Sequence, residues 1–241
     1  MKIVKHIPNT ITSMNLFCGI MGVIFAFKGE LSMAFYMMLA AAACDFLDGF
    51  SARLLNAYSD MGKELDSLAD LVSFGLLPAL MFHRRMIEGG VTDFWAYIPL
   101  IICIFSALRL AKFNVDTRQT ENFLGLPTPA CAMWCGSLIY SADHGVMSMA
   151  NMLHDTLILP VSAVILAFLL VSEIPMFSLK FKKGSEYNRI RIYFMVFVAA
   201  VAVATFILKF NWSYIILITF TCYILLNAVN ALSSLKIFQK K

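Results

Sequence analysis

Eight apolar segments, each about as long as a bilayer is thick, follow one another along this chain of 241 residues. A transmembrane helix needs roughly 20 such residues. The predicted spans are residues 11–28, 33–56, 63–86, 94–114, 128–142, 154–173, 190–208 and 212–234. The fifth is the weakest, because it is short and opens with Pro127 and Pro129. Since 60% of the residues are hydrophobic and only 14% are charged, a soluble domain is excluded. The sequence predicts an all-α polytopic integral membrane protein, with residues 1–241 forming one membrane-embedded domain.

The positions of the basic residues predict how the chain is oriented. Cytoplasmic ends of membrane helices carry an excess of Lys and Arg. With a cytoplasmic N-terminus, 15 of the 19 basic residues lie on the inner side, and only Lys28, Arg84, Arg85 and Lys209 lie on the outer side. This asymmetry predicts an even number of spans, with both termini in the cytoplasm, in the inner or plasma membrane. Arg84 and Arg85 fit this orientation worst. The net charge of +4 is explained by this distribution, so no nucleic-acid partner is expected.

Four aspartates interrupt the apolar sequence between residues 45 and 70. Asp45 and Asp48 are three residues apart, and Asp66 and Asp70 are four apart, so each pair lies on one face of its own helix. A carboxylate in the middle of a membrane helix costs roughly 2.5–3.5 kcal/mol, so four of them require a positive partner. Oxygen ligands favour a hard divalent cation. The sequence therefore predicts a site for Mg²⁺, Mn²⁺ or Ca²⁺ formed by all four aspartates.

Two functions suit such a cluster: translocation of ions or protons, and phosphoryl transfer on an amphiphilic substrate. Arg53 lies on the same helix as the first aspartate pair, and a fixed cation there suits a diphosphate better than a transported cation. Gly49, Ala52 and Gly62 are small, so a phosphate-bearing group can approach the backbone. These features favour a nucleotide-diphosphate substrate. The turn between the two helices is predicted at Gly62 and the polar residues before it, Asn56, Tyr58, Ser59 and Asp60.

The spacing of these residues resembles the signature of the CDP-alcohol phosphotransferase family. All eight signature positions match, in the order Asp45-x2-Asp48-Gly49-x2-Ala52-Arg53-x8-Gly62-x3-Asp66-x3-Asp70. Four further segments resemble the phosphatidylserine synthase branch of that family: residues 8–12, 67–75, 109–114 and 125–130. Leu77 and Lys112 depart from the branch, which usually has Ala and Arg at these positions. Both departures lie outside the metal motif, so they concern the acceptor and not the type of reaction.

The resemblance implies transfer of the phosphatidyl group from CDP-diacylglycerol to the hydroxyl of L-serine, with release of CMP. Asp45, Asp48 and Asp66 would bind a first metal ion, and Asp70 would complete a second site and act as the general base. The implied contacts with CDP-diacylglycerol are Asn9, Thr12, Gly49, Ala52, Arg53, Ser59 and Gly62. Ser59 has an alternative interpretation as an ordinary helix cap. The resemblance also implies a homodimer, with membrane lipids around it. The distribution of Lys and Arg predicts that the aspartate cluster, and so the active site, faces the cytoplasm.

The acceptor pocket is predicted from the chemistry of serine. Free serine carries a carboxylate and an ammonium group, so its pocket needs a cation and a hydrogen-bond acceptor. Arg109, Lys112 and Asn114 are the candidates, although the two basic residues also fit charges that mark a helix end. Glycerol 3-phosphate and an inositol phosphate are alternative acceptors, but each calls for a denser basic pocket. A cation transporter with an acidic site is the alternative from another class, and it predicts carboxylates spread toward both membrane faces.

Overall fold

The computed structural model describes residues 6–116, 123–145, 157–176 and 188–238, and the described chain is almost entirely helical. Its helices are α1 (Ile7–Lys28), α2 (Leu31–Leu54), α3 (Asp60–Asp70), a π-helical turn (Leu71–Leu76), α4 (Leu77–Glu88), a 3-10 helix (Phe94–Leu100), α5 (Ile101–Val115), α6 (Thr128–His144), α7 (Ile158–Val171), α8 (Asn188–Ile207) and α9 (Ser213–Phe238). Two short antiparallel strands, β1 (Phe123–Leu124) and β2 (Pro175–Met176), pair with each other.

Six helical stretches are long and apolar enough to cross a membrane: Ile7–Lys28, Leu31–Leu54, Asp60–Glu88, Phe94–Val115, Arg189–Ile207 and Ser213–Asn230. They confirm the predicted polytopic all-helical membrane protein, but the predicted count of eight is not confirmed. The other two predicted spans contain shorter helices, α6 with 17 residues and α7 with 14. Most of α6 is buried among the other helices, which is typical of a core helix. Residues 154–156 of the sixth predicted span lie outside the described residues.

A tight turn places α1 and α2 side by side. Gly29 ends α1 in the left-handed conformation, with φ of 83°, and its N–H donates to the carbonyl oxygens of Ala26 and Phe25. Glycine adopts this conformation at little cost, and it is common at helix C-termini. Because α2 begins at Leu31, the chain reverses within two residues and the two helices pack along their lengths.

Two glycines bring α1 close to the π-helical turn and the start of α4. A Cβ atom at Gly19 would lie 2.2 Å from Ser73 Oγ, and one at Gly22 would lie 2.5 Å from Leu77 Cδ2. Small residues allow such close approach between helices in a membrane, where packing drives association. The π-helical turn that holds Ser73 begins directly after Asp70. This packing therefore fixes Asp70 against α1.

The turn between α2 and α3 differs from its prediction. Helix α3 begins at Asp60, so Gly62 lies in its first turn, and the loop consists of residues 55–59. The prediction that Gly62 marks the turn was wrong because Ser59 caps the helix earlier: its Oγ accepts a hydrogen bond from the Gly62 N–H at 3.0 Å. Ser at this position satisfies one of the N–H groups that lack a partner in the first helical turn. The interpretation of Ser59 as a helix cap is thus confirmed.

The two arginines that fit the predicted orientation worst are paired with carboxylates. Arg84 Nε lies 2.9 Å from Glu88 Oε1, and Arg85 pairs with Asp143 on α6. They lie near the end of α4, far along a continuous helical segment from Asp66. Because each charge has a partner, these arginines carry little weight against the predicted orientation.

Candidate active site

Helices α2 and α3 bring three of the four predicted aspartates together. Asp45, Asp48 and Asp66 each offer a carboxylate oxygen, and these oxygens all lie within 4.8 Å of one another. Asp48 is only 6% exposed, and the other two are half-buried. Asp48 Oδ2 and Asp66 Oδ1 are buried and have no hydrogen-bond partner among the described residues. We call these three residues the acidic triad.

The acidic triad has the properties of a metal site. Three neighbouring carboxylates repel one another, and burying oxygens without partners is unfavourable. In the described part of the chain, Arg84, Arg85 and Lys112 form ion pairs with carboxylates outside the triad, and no ion pair involves the triad itself. A hard divalent cation would neutralise the charge and coordinate the free oxygens. The donor set and the unpartnered oxygens thus fit a divalent cation.

Asp70 lies beside the acidic triad but has a different environment. It is 8% exposed, and its Oδ1 accepts a hydrogen bond of 3.3 Å from Asn15 Nδ2 on α1. It interacts electrostatically with Asp45 and Asp66, which places it in the same cluster. The four predicted aspartates therefore form a triad suited to one ion and a separate, hydrogen-bonded fourth carboxylate.

A cavity of about 220 Å³ opens on one side of the acidic triad. Asp48 and Asp66 line it, together with six of the residues predicted to contact CDP-diacylglycerol: Asn9, Thr12, Gly49, Ala52, Ser59 and Gly62. A Cβ atom at Gly62 would come within 2.9 Å of Asn9 Oδ1 and 3.0 Å of Ser59 Oγ. The absence of a side chain at this position therefore keeps the cavity open. We call this space the first cavity.

Arg53 is the one predicted lipid-nucleotide contact that does not line the first cavity. Its side chain is exposed, and its Nε donates a 2.9 Å hydrogen bond to the carbonyl oxygen of Gly49, one turn earlier on the same helix. The guanidinium group is thus near the cavity wall at Gly49 but folded along α2.

A second cavity, of about 210 Å³, lies on the other side of Asp66. Its polar lining is Lys63, Asp66, Ser67, Asp70, Arg109 and Asn114. Arg109 is 7% exposed, and one of its terminal nitrogens donates to Thr128 Oγ1 at 3.3 Å, whereas its Nε has no hydrogen-bond partner among the described residues. Arg109 also interacts electrostatically with Asp70. The second cavity therefore combines a buried cation with a carboxylate.

The other two predicted serine contacts have different surroundings. Asn114 lines the second cavity, where its Nδ2 donates to Ser67 Oγ at 3.0 Å and its carbonyl oxygen accepts from Lys63 Nζ at 2.8 Å. Lys112 is not among the described residues that line either cavity. Its Nζ lies 3.4 Å from Glu173 Oε1, and both side chains are exposed. This placement agrees with the alternative interpretation of Lys112 as a charge at the helix end.

Two residues of the site were missed in the sequence. Lys63 lines both cavities, and Asn15 contacts Asp70. Asn15 follows Thr12 by three residues on α1, so helical spacing could have placed both on the same face. An amide in the middle of an apolar span is also a signal of function, since polar residues are costly there. Lys63 gave no comparable signal, because a lysine near a helix start is common on a solvated surface.

The fold and the site together define a polytopic membrane protein with an acidic cluster between two polar-lined cavities. Residues 5–171 match the family model described as CDP-alcohol phosphatidyltransferase. The chain belongs to this family. All eight of its signature positions lie within the matched residues, and α8 and α9 lie beyond them.

Several related proteins have similar sequences. A CDP-diacylglycerol–serine O-phosphatidyltransferase of Mycobacterium leprae is 32% identical over 229 residues, which cover 90% of this chain and 73% of that protein. A protein of the same name from Bacillus subtilis is 31% identical over 170 residues, covering 70% of this chain and 89% of the relative. An archaetidylserine synthase of Methanothermobacter thermautotrophicus is 29% identical over 160 residues, covering 66% and 68%. Serine is part of all three names.

Proposed function

We propose that this protein transfers the phosphatidyl group of CDP-diacylglycerol to the hydroxyl of L-serine, forming phosphatidylserine and CMP. The observation that carries the proposal is the position of Asp66 between the two cavities. The first cavity is lined by predicted lipid-nucleotide contacts, and the second by Asp70 and Arg109. Two substrates bound in them would meet at the acidic cluster. The names of the related proteins support the same reaction.

The first cavity would bind the nucleotide and diphosphate of the lipid. Gly49, Ala52 and Gly62 place no long side chain at three positions of its wall, and Asn9 and Thr12 supply polar groups. Asp45, Asp48 and Asp66 would hold Mg²⁺ or Mn²⁺. Such an ion neutralises diphosphate charge and stabilises the departing CMP. Arg53 can reach the same phosphates only after leaving the carbonyl oxygen of Gly49.

The second cavity would bind serine. Arg109 offers a planar guanidinium that suits a carboxylate. Asp70, in the same cavity, would accept the proton of the serine hydroxyl. The serine oxygen then forms a bond to the phosphorus that carries diacylglycerol, and the bond from that phosphorus to CMP breaks, with its electron pair leaving on CMP. Asn114 would contribute a polar wall, whereas Lys112 would act only through its pairing with Glu173.

The described charges favour this function over the alternatives. A phosphate-bearing acceptor calls for several free cations, but Arg109 is the one buried cation in the second cavity, and Lys63 is bonded to the carbonyl oxygen of Asn114. A transporter calls for carboxylates along a path across the membrane. Among the described residues, the unpaired buried carboxylate oxygens belong to one cluster, while Glu88 on α4 and Asp143 on α6 are paired with arginines.

The proposal includes the topology and the assembly. The active site faces the cytoplasm, both termini are cytoplasmic, and the protein is a homodimer. Labelling of single cysteines from either side of sealed vesicles tests the orientation, and chemical cross-linking of the membrane-bound protein tests the dimer. Labelling of the 55–59 loop only from the periplasmic or external side would contradict the orientation.

The decisive assay measures CMP release from CDP-diacylglycerol by the purified protein in mixed micelles. The reaction is run with Mn²⁺ or Mg²⁺ and with no acceptor, L-serine, glycerol 3-phosphate or inositol phosphate. We expect release that depends on both serine and metal. Asp66→Asn serves as the inactive control. Release with another acceptor but not with serine would contradict the proposed acceptor, and no release with any acceptor would contradict the reaction itself.

A further inference from the structure

Asn15 is a fully buried amide in the middle of α1. Its side chain is 0% exposed, while its neighbours Met14 and Phe17 point outward from the same apolar helix. An amide is expensive to bury in a membrane protein, and the Oδ1 of Asn15 has no hydrogen-bond partner among the described residues. Polar residues buried at such a cost mark functional sites. The contacts of Asn15 therefore indicate what it does.

Those contacts connect α1 to Asp70 and to the turn that follows it. The side-chain Nδ2 donates to Asp70 Oδ1 at 3.3 Å, and the main-chain oxygen accepts from Ser73 Oγ at 3.1 Å. Ser73 is 0% exposed and lies in the π-helical turn that begins directly after Asp70. The backbone of Asn15 is thus hydrogen-bonded to Ser73, and its side chain is hydrogen-bonded to Asp70 in the same segment.

Close packing prevents α1 from shifting along this segment. A Cβ atom at Gly19, one turn after Asn15, would lie 2.2 Å from Ser73 Oγ and 3.0 Å from Ser73 Cα. A π-helical turn is a rare conformation that often lies at functional sites, where it redirects the adjoining residues. The distance between Asn15 and Asp70 is therefore set by the fold.

We infer that Asn15 is a positioning residue, which holds one oxygen of Asp70 and leaves the other available to the serine hydroxyl. The inference rests on the proposed function, in which Asp70 accepts the hydroxyl proton. The nearby Arg109 interacts with Asp70, and its Nε has no hydrogen-bond partner among the described residues. Without the Asn15 bond, Asp70 is free to rotate toward Arg109. An ion pair between them would occupy both the base and the group that binds the serine carboxylate.

The first test compares Asn15→Leu, which removes the donor but keeps the branching and the number of heavy atoms of the side chain, with Asn15→Gln, which keeps an amide. Because a hydrogen bond to a charged group contributes more free energy than one between neutral groups, we expect kcat of the Leu variant to fall roughly 10- to 100-fold. The KM for CDP-diacylglycerol should stay within about twofold, and the Gln variant should retain more activity. Ser13→Ala, on the same helix but exposed, is the matched control. Wild-type kcat in Asn15→Leu, or equal losses in the Leu and Gln variants, would overturn the inference.

A second test reads the contact without using the reaction. The unfolding temperatures of Asn15→Leu, Asp70→Ala and the double variant form a double-mutant cycle. We expect non-additive effects, and additive effects would overturn the inference. The two proposals fail in different ways. Wild-type protein without serine-dependent CMP release rejects the proposed function, whereas an active wild type with unaffected Asn15→Leu kinetics rejects only the role of Asn15.

Discussion

Asp48 on α2 and Asp66 on α3 bring carboxylate oxygens within 4.8 Å of each other, and each has a buried oxygen without a hydrogen-bond partner in the described chain. Two anions in this position raise each other's energy unless a cation lies between them. Since both residues also line the first cavity, a cation held there would be in contact with whatever occupies that cavity.

Asp66→Asn should abolish metal binding without destabilising the metal-free protein. Removing one of three neighbouring charges relieves repulsion, so the unfolding temperature without metal should stay the same or rise. The increase in unfolding temperature caused by Mn²⁺ should disappear, and CMP release should fall by more than about 100-fold. Asp60→Asn, in the exposed first turn of α3, is the control and should keep the Mn²⁺ effect. A full Mn²⁺ effect in Asp66→Asn would contradict the metal site.

Asp70→Asn should separate substrate binding from turnover. The amide is nearly isosteric with the carboxylate but cannot accept a proton, and loss of a general base typically costs about 10²- to 10⁴-fold. Turnover should fall within this range, while equilibrium binding of CDP-diacylglycerol should change by no more than a few-fold. Near-normal turnover in this variant would remove Asp70 from the role of base.

Arg109→Lys should weaken serine binding selectively. Lysine keeps the charge but loses the planar pair of donors that suits a carboxylate. We expect the KM for serine to rise by at least about 10-fold, with little change in the KM for CDP-diacylglycerol. Lys112→Ala is the matched control at the same end of α5. It should leave both KM values within about twofold, because Lys112 lines neither cavity among the described residues and pairs with Glu173. If Lys112→Ala raised the KM for serine and Arg109→Lys did not, Lys112 and not Arg109 would be the residue that binds the serine carboxylate.

Gly19→Ala should destabilise the protein through a single methyl group. The added Cβ would lie 2.2 Å from Ser73 Oγ, so α1 has to move away from the π-helical turn. Overpacking of this kind typically costs about 1–3 kcal/mol. Thermal unfolding in detergent measures the loss, and adding Ser73→Ala should recover part of it because the hydroxyl is the nearest obstacle. Unchanged stability in Gly19→Ala would mean that the two helices are not in close contact.

Much of the acidic site could be predicted from spacing alone. Intervals of three and four residues place Asp45 with Asp48 and Asp66 with Asp70 on helix faces, and a short polar loop then brings the two faces together. Spacing along single helices does not show how far apart the faces lie. The division into a triad and a separate Asp70 depends on the packing of α1, through Asn15 and Gly19. Helical spacing can mark the polar face of α1, but it does not show which segment packs against that face.

The predicted spans and the acceptor pocket show the same limit. Hydrophobicity identified the segments that contain α6 and α7, but it did not show that most of α6 is buried among the other helices. The sequence did not distinguish Arg109 from Lys112 as the residue that binds serine, because both lie near the end of the same span. The structure distinguishes them, since Arg109 is buried in the second cavity and Lys112 is paired with Glu173 from a distant segment.

The most direct measurement of the central claim is an anomalous difference map from crystals of the protein soaked in Mn²⁺. The account predicts a Mn²⁺ peak within coordination distance of Asp45, Asp48 and Asp66, and loss of that peak in crystals of Asp66→Asn. A map from protein shown to be active with Mn²⁺ that has no peak at the acidic triad would contradict the account.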